Sequence, residues 1–214
     1  MLLSTGWAPR VGRHPEIGVR PGLLAEMVTF VRTGAAIRAE RAVDAPDVHR
    51  VVAAAFASRP VAADLVNALR TSTAWRPGLS LIAVQGDDIV GHVLATRGWL
   101  DAPRALVEVL VLSPLSVRPD RQGRGIGSQL AGRLLAIAAR RPEPAIFLEG
   151  PPGYYARFGF ESAGAAGIRR PSLRIPEPAF QIKRLPRWEP TLSGTLVYPE
   201  PFWAFDCVGL RRPS

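Results

Sequence analysis

Residues Leu115 to Leu130, reading Leu-Ser-Val-Arg-Pro-Asp-Arg-Gln-Gly-Arg-Gly-Ile-Gly-Ser-Gln-Leu, constrain this chain more than any other stretch. The segment opens as the end of an apolar strand, passes through a basic, glycine-rich turn and continues as an amphipathic helix. Gly123, Gly125 and Gly127 permit backbone conformations closed to other residues and remove side chains that would block a close approach. The first N–H groups of the helix have no intrahelical partner and point back into the turn, which makes an anion site. Arg118, Arg121 and Arg124 surround it with positive charge. Strand, turn and helix agree on a cradle for a pyrophosphate-like anion, against the plainer reading of a solvated basic turn.

Two familiar phosphate loops are excluded. A P-loop needs Gly-x-x-x-x-Gly-Lys-Ser/Thr, and no Lys-Ser/Thr pair follows these glycines in that register. The dinucleotide fingerprint needs Gly-x-Gly-x-x-Gly, whereas the order here is Gly123-x-Gly125-x-Gly127. The run Arg121-Gln122-Gly123-Arg124-Gly125-Ile126-Gly127 instead resembles the Gln/Arg-x-x-Gly-x-Gly/Ala signature of the GCN5-related N-acetyltransferases. In that family the loop holds the pyrophosphate of acetyl-coenzyme A, and the strand end before it hydrogen-bonds the pantetheine arm. The resemblance therefore implies cofactor contacts from Leu115, Ser116 and Val117, and from Arg121, Gln122, Gly123, Arg124, Gly125, Ile126, Gly127 and Ser128. A second landmark, Tyr154-Tyr155-Ala156-Arg157-Phe158-Gly159-Phe160, resembles the Phe-Tyr-x-x-x-Gly-Phe segment near the end of the same fold. It is most similar to a bacterial subgroup resembling YhbS, with Asp-Pro-x-Tyr-Tyr-x-Arg-Phe-Gly-Phe and a later Tyr-Pro-x-x-Phe, which Tyr198-Pro199-Glu200-Pro201-Phe202 matches. The resemblance covers roughly residues 36 to 203. It implies an α/β fold: a mixed, twisted sheet with an early antiparallel meander, then a splayed parallel pair around the cofactor, with helices on both faces.

Composition narrows the classes. A chain of 214 residues, 47% of them hydrophobic, is long enough for one domain with a buried core. Charges interrupt every candidate membrane span, and the first residues carry Arg10, Arg13 and His14 rather than the apolar core of a secretory signal, so a soluble, cytoplasmic protein is expected. The single cysteine, Cys207, forbids an intramolecular disulfide and any cysteine-rich metal site, and no metal is expected. The net charge of +9 is almost all arginine, since Lys183 is the only lysine. These arginines are scattered, with no basic tail or interleaved aromatics, which disfavours nucleic acid as a partner and leaves attraction for a polyanionic cofactor.

Taken in order, residues 1–35 have glycine and proline punctuation without a sustained period. They read as an extension packed on the domain, a disordered arm, or upstream sequence if translation starts at Met27; residues 36–214 read as the acetyltransferase domain. Ala36 to Glu40 alternates as a first strand, Asp44 is placed to N-cap a helix carrying Val48, Val51, Val52, Ala55 and Phe56 on one face, and a second helix runs from Val61 to Arg70. Leu79 to Gln85 and Ile89 to Thr96, joined by Gly86-Asp87-Asp88, predict a hairpin. His92 in its second strand reads as half-buried rather than as a ligand, and Arg97 to Arg104 as a polar loop. The apolar run Ala105 to Val117 contains Pro114, which cannot donate a ladder bond, so this strand must bulge or splay there. Ile126, Leu130, Leu134 and Ala138 form an apolar helix face, Ala145 to Leu148 a short buried strand in parallel pairing, and the tail from about Gly167 offers strands at Ala179 to Leu185 and Gly194 to Tyr198 that finish the sheet and wall the acceptor cleft.

Acetyl transfer to an amine requires that the donor be held, the oxyanion stabilised, the amine presented neutral and the thiolate reprotonated. By the resemblance, the oxyanion donor is a backbone N–H near Leu115 to Val117, and Tyr155 aligns with the tyrosine beside the coenzyme sulfur, the expected acid. The alternative for Tyr155 is an aromatic core under Phe158 and Phe160. For a base, Glu108 lies toward the far end of its strand and reads as a solvated face. Glu149 precedes the tyrosine pair where the subgroup carries aspartate with a shorter approach to proline, and a water relay would remove the need for either. Cys207 has no evident histidine partner, so transfer is expected to be direct. The implied partners are acetyl-CoA and an amine acceptor (small molecule, peptide or protein), with homodimers frequent in the family. A non-catalytic acyl-CoA-binding sensor is the competing reading, from which the presence of Tyr155 tilts away.

Overall fold

In the computed structural model, residues 34–209 are described; the N-terminal stretch read as an extension lies, up to residue 33, outside them. The elements run β1 (Ala36–Ala39), α1 (Ala45–Ala55), α2 (Val61–Thr71), β2 (Ser80–Gln85), β3 (Asp88–Asp101), β4 (Leu106–Val117), α3 (Ile126–Ala138) and β5 (Ala145–Glu149). They continue as α4 (Pro152–Tyr155), β6 (Glu161–Ser162), β7 (Ile168–Arg169), β8 (Phe180–Arg184), β9 (Gly194–Val197) and α5 (Glu200–Ala204).

The sheet follows the order β1-β2-β3-β4-β5-β8-β6, antiparallel except where β4 meets β5. A two-residue turn at Gly86 and Asp87 closes the β2–β3 hairpin, with Gln85 opposite Asp88. Strand β3 continues to Asp101, so the expected polar loop is strand, and only the short connection after Asp101 reverses the chain. The reason is pairing on both edges: Arg97 to Asp101 face Leu110 to Leu106 of β4, while Trp99, Leu100 and Asp101 face Val197, Leu196 and Thr195 of β9. Arg97 contributes by laying its guanidinium 4.9 Å from the centre of the Trp99 ring.

Pro114 acts as its chemistry requires. Val93 pairs with Leu115 and Ala95 with Leu112, so Ser113 and Pro114 stand as two residues against Leu94, a β-bulge. On the other edge, β4 meets β5 through Leu110–Ile146 and Val111–Phe147, and no registered pair follows toward Val117. The parallel pair is splayed.

Helices cover both faces. Helix α3 buries Ile126, Leu130, Leu134 and Ala138 against β2, β3 and β4, as its spacing predicts. Each large apolar side chain contributes about 1.5–3 kcal/mol by leaving water. The opposite face carries α1, which presents Val48, Val51 and Val52 to the sheet, and α2 packed on α1 and α5.

Asp44 departs from its expected role. It makes no side-chain cap on α1. Its buried carboxylate instead accepts the Arg41 N–H at 2.7 Å, across a 3-10 turn, and a two-pronged contact from Arg38 at 2.6 and 2.8 Å. The Arg38 guanidinium holds this carboxyl well below the usual carboxylate range. A depressed folded-state value means stabilisation present above the unfolded pKa and lost as pH falls through the folded one. Asp44→Ala should therefore lower unfolding stability by about 1–3 kcal/mol at neutral pH. Urea titrations should show that deficit undiminished down to about pH 4 and shrinking in stronger acid.

Candidate active site

The splay between β4 and β5 opens into two cavities. The first, about 710 Å³, lies over the glycine-rich loop; the second, about 470 Å³, lies among the α1–α2 connection, the bulge of β4 and the C-terminal segment. Leu115, Pro151 and Tyr155 line both. The two spaces therefore adjoin the same three residues at the gap.

The first cavity gathers nearly every predicted cofactor contact: Leu115, Val117 and the whole run Arg121 to Ser128 line it. Gly125 sits at φ 82° immediately before α3, and Gly123 at φ 72°, left-handed conformations that side-chain-bearing residues rarely adopt. Helix α3 has no side-chain cap, and its first bond back to the loop runs from the Gln129 N–H to the Gly125 carbonyl at 3.0 Å. The N–H groups of Ile126, Gly127 and Ser128 precede that bond, and all three residues line the cavity. The Gln122 side chain braces the loop, donating to the Val117 carbonyl at 3.0 Å. Ser116 is the exception among the predicted contacts. Its side chain is buried, donates to the His92 carbonyl at 3.3 Å and does not line the cavity.

The charges sort themselves by pairing. Arg118 is tied to Asp120 at 2.7 Å and Asp88 at 3.2 Å, and is absent from the cavity wall, so it does not serve the loop as expected. Arg121 lies 3.6 Å from Asp120, whereas Arg124 has no carboxylate partner among the described residues. Two further wall residues belong to the second motif: Tyr154, by sequence a weaker candidate than Tyr155 for the acid, and Arg157, which carried no expected role. Arg157 stacks its guanidinium 4.0 Å from the Tyr154 ring centre and adds a third cation to this wall.

Tyr155 combines the two readings given to it. Its buried ring packs edge-on against Tyr154 at 4.9 Å and Phe160 at 5.7 Å, yet it borders both cavities. Burial, with Tyr154 alongside, pushes its phenol upward, so it stays a proton donor through neutral pH. Gly150 makes room for it: a Cβ there would stand 2.4 Å from Tyr155 Cε2.

In the second cavity, apolar walls from Phe56, Leu65, Pro114 and Phe202 enclose one carboxylate, Glu149. It accepts the Gly209 N–H at 3.1 Å and the Tyr198 hydroxyl, and burial raises its pKa despite those bonds and the nearby Arg59 and Arg174. Glu108 lines neither cavity; it is paired with Arg76 at 2.7 Å rather than simply solvated. His92 is fully buried, not half-buried, with Nε2 2.9 Å from Ser80 Oγ and 3.4 Å from Glu40. Cys207 borders the second cavity, donates to the Phe205 carbonyl at 3.4 Å and has its thiol pKa raised by burial. No histidine lines either cavity among the described residues. No described helix is long and apolar enough to cross a membrane.

Comparison with known proteins agrees with this geometry. The sequence model of the family described as "Acetyltransferase (GNAT) domain" matches residues 36–163. The chain is 34% identical over 166 residues to the uncharacterised N-acetyltransferase YjhQ of Escherichia coli K12, covering 74% of this chain and 88% of that one. It is 30% identical over 151 residues to the uncharacterised N-acetyltransferase YhbS of the same strain, covering 70% and 86%. The crystal structure of Escherichia coli YhbS in complex with CoA superposes with a TM-score of 0.70 at 28% identity, over 78% of this chain and 91% of that one. A GNAT family acetyltransferase from Brucella melitensis in complex with acetyl-CoA superposes with a TM-score of 0.64 at 30% identity, over 78% and 97%. A strand–loop–helix anion cradle beside a splayed parallel pair, with matches of this extent, places the chain in the GNAT family of acetyltransferases, the GCN5-related N-acetyltransferases.

Proposed function

We propose that this protein transfers the acetyl group of acetyl-CoA directly to a primary amine, without an acyl-enzyme. The observation that carries the reading is the pair of cavities meeting at Leu115, Pro151 and Tyr155, one of them built around an anion-binding loop. Relatives of similar fold hold CoA and acetyl-CoA, and the loop here fits such a group: free helix N–H donors, a left-handed Gly125 and unpaired cationic side chains.

The roles follow from position. The N–H groups of Ile126, Gly127 and Ser128, with Arg121, Arg124 and Arg157, receive the pyrophosphate. Beyond Val111, β4 has no registered partner on its β5 side, so those backbone groups of the Leu115 to Val117 stretch that point away from β3 are available to bond the pantetheine arm and to polarise the thioester carbonyl. Acetyl-CoA supplies the activated acyl group at this gap. Tyr155, protonated and at the junction, is placed to return a proton to the leaving sulfur. Its place at the junction favours turnover over a binding-only sensor.

Three variants test this. Gly125→Glu puts bulk, charge and backbone strain where the pyrophosphate should sit; calorimetry should show acetyl-CoA affinity falling by at least about 100-fold. Tyr155→Phe should leave that affinity intact while turnover with an amine drops about 10²–10⁴-fold. Gly150→Ala, whose Cβ must displace the Tyr155 ring, should copy the Tyr155→Phe pattern of retained binding and reduced turnover. A wild-type protein that binds no acetyl-CoA would sink the proposal.

A further inference from the structure

The second cavity holds a feature that the loop and Tyr155 leave unused. Its walls are apolar, yet Glu149, the last residue of β5, places a carboxylate among them. The carboxylate is held from two directions, by the Tyr198 hydroxyl at the end of β9 and by the Gly209 N–H at 3.1 Å. Tyr198 is itself fixed by stacking on Phe202 of α5, ring centres 5.0 Å apart. A half-buried carboxylate that is hydrogen-bonded but has no direct ion-pair partner among the described residues is matched to a cation arriving from outside.

From this geometry we infer that Glu149 is the catalytic carboxylate of the acceptor side: it receives the ammonium of a small primary amine with an apolar body and takes one of its protons before transfer. The inference rests on the acetyl-transfer reading given above. Three observations set the acceptor class. A volume of about 470 Å³ falls in the range of small-molecule pockets, about 300–1,000 Å³. Phe56, Leu65, Pro114 and Phe202 offer an amine's body only apolar contact. Arg59, the one cation among the described residues of the wall, is committed to the carbonyls of Asp206 at 2.9 Å and Gly209 at 3.5 Å, so it does not select an acceptor carboxylate.

Protons and electrons balance. The ammonium gives one proton to Glu149, and the freed nitrogen lone pair forms the C–N bond to the acetyl carbon. The C–S bond then breaks, its electron pair leaving on sulfur. Sulfur takes a proton from Tyr155, which is restored by the second proton lost from nitrogen, and Glu149 releases its own proton to solvent. The groups facing Glu149 are Tyr198, Arg59, Arg174 (paired with Asp206 at 2.7 Å) and the Cys207 thiol. Both arginines and both hydrogen bonds favour the charged form, but desolvation outweighs them and raises the pKa, which strengthens the carboxylate as a base.

The test uses the full chain, acetyl-CoA and 2-phenylethylamine, with a lysine-containing peptide as the comparison acceptor. Calorimetry with acetyl-CoA is run on wild type, Glu149→Gln and Tyr198→Phe. If Glu149 takes the proton, wild-type kcat/KM for the amine falls in acid as Glu149 protonates and is flat between about pH 7 and 9. Glu149→Gln, whose amide oxygen still accepts from Tyr198 and Gly209, should bind acetyl-CoA as wild type does. Its kcat/KM should drop about 10²–10⁴-fold and rise with pH across that window, because only free amine then reacts. Tyr198→Phe removes a bond that stabilises the carboxylate, so the acid limb should move to higher pH, a shift that a merely structural role would not produce. An unchanged rate and profile in Glu149→Gln, preference for the peptide, or acetyl-CoA binding with no transfer to the amine would each overturn the inference. Absence of acetyl-CoA binding in the wild type would instead remove the transfer reading beneath it.

Discussion

Two residue pairs, Leu110 with Ile146 and Val111 with Phe147, hold β4 to β5, and both cavities open where they stop. A parallel strand pair that continued to Val117 would consume the β4 backbone groups that point away from β3 and close the gap into which both cavities open. The bulge at Ser113 and Pro114 prevents that continuation from within β4, since proline has no N–H to give and the extra residue turns the strand. On the β5 side the chain also turns away, through Gly150 and the two prolines into α4, and this delivers Tyr155 to the gap. The site is thus a designed failure of sheet pairing, tolerable because the strands are secured elsewhere: β4 by its long pairing with β3, and β5 by β8 on its other edge.

Rigidity at the gap comes from the two cores on either side. Helix α3 is anchored by Ile126, Leu130 and Leu134, and its first turn is also part of the anion cradle. The donors are therefore ordered by burial of the opposite helix face rather than by the ligand they meet, which lowers the entropy lost on binding. Charge is apportioned in the same spirit. Asp88 and Asp120 engage Arg118 outside the cavity and Asp120 also approaches Arg121, while Arg124 and Arg157 line the cavity with no carboxylate partner among the described residues. A cradle crowded with acidic partners would hold less field for a pyrophosphate.

What the sequence made legible were features with local causes. Helix periodicity, the Gly86–Asp87 turn, the missing N–H of Pro114 and the glycine spacing of the loop are each set by a few neighbouring residues, and all four appear in the fold. The family resemblance added the order of the strands. What stayed hidden depended on partners distant in sequence. Arg97 to Asp101 look polar in isolation, and become strand because β9, roughly a hundred residues later, completes their second edge. Asp44 has the identity of an N-cap, but Arg38 lies closer to its carboxylate than any donor of α1 does. Ser116 lies in the right stretch, yet strand alternation turns its hydroxyl to the face opposite Leu115 and Val117. Tyr154 and Arg157 were visible as letters in a motif, and only the approach of α4 to the loop gives them a wall to line.

Glu149 shows the same dependence on distant chain at its sharpest. A carboxylate at the end of a buried strand is costly, and a sequence read locally offers no reason to keep one there. Its reasons arrive from the far end of the chain: Tyr198 after β9, Gly209 after α5, and Phe202 stacked beneath the tyrosine. Without those residues the gap between β4 and β5 would open on an apolar hollow, suited to holding an acyl group but with nothing to meet a cation. With them, the hollow gains one carboxylate that is hydrogen-bonded from two directions and whose pKa desolvation raises. The C-terminal segment therefore does more than complete the sheet. On the proposed reading it turns a break in strand pairing that serves the donor into a second and chemically different compartment for the acceptor, with Tyr155 on the boundary of both.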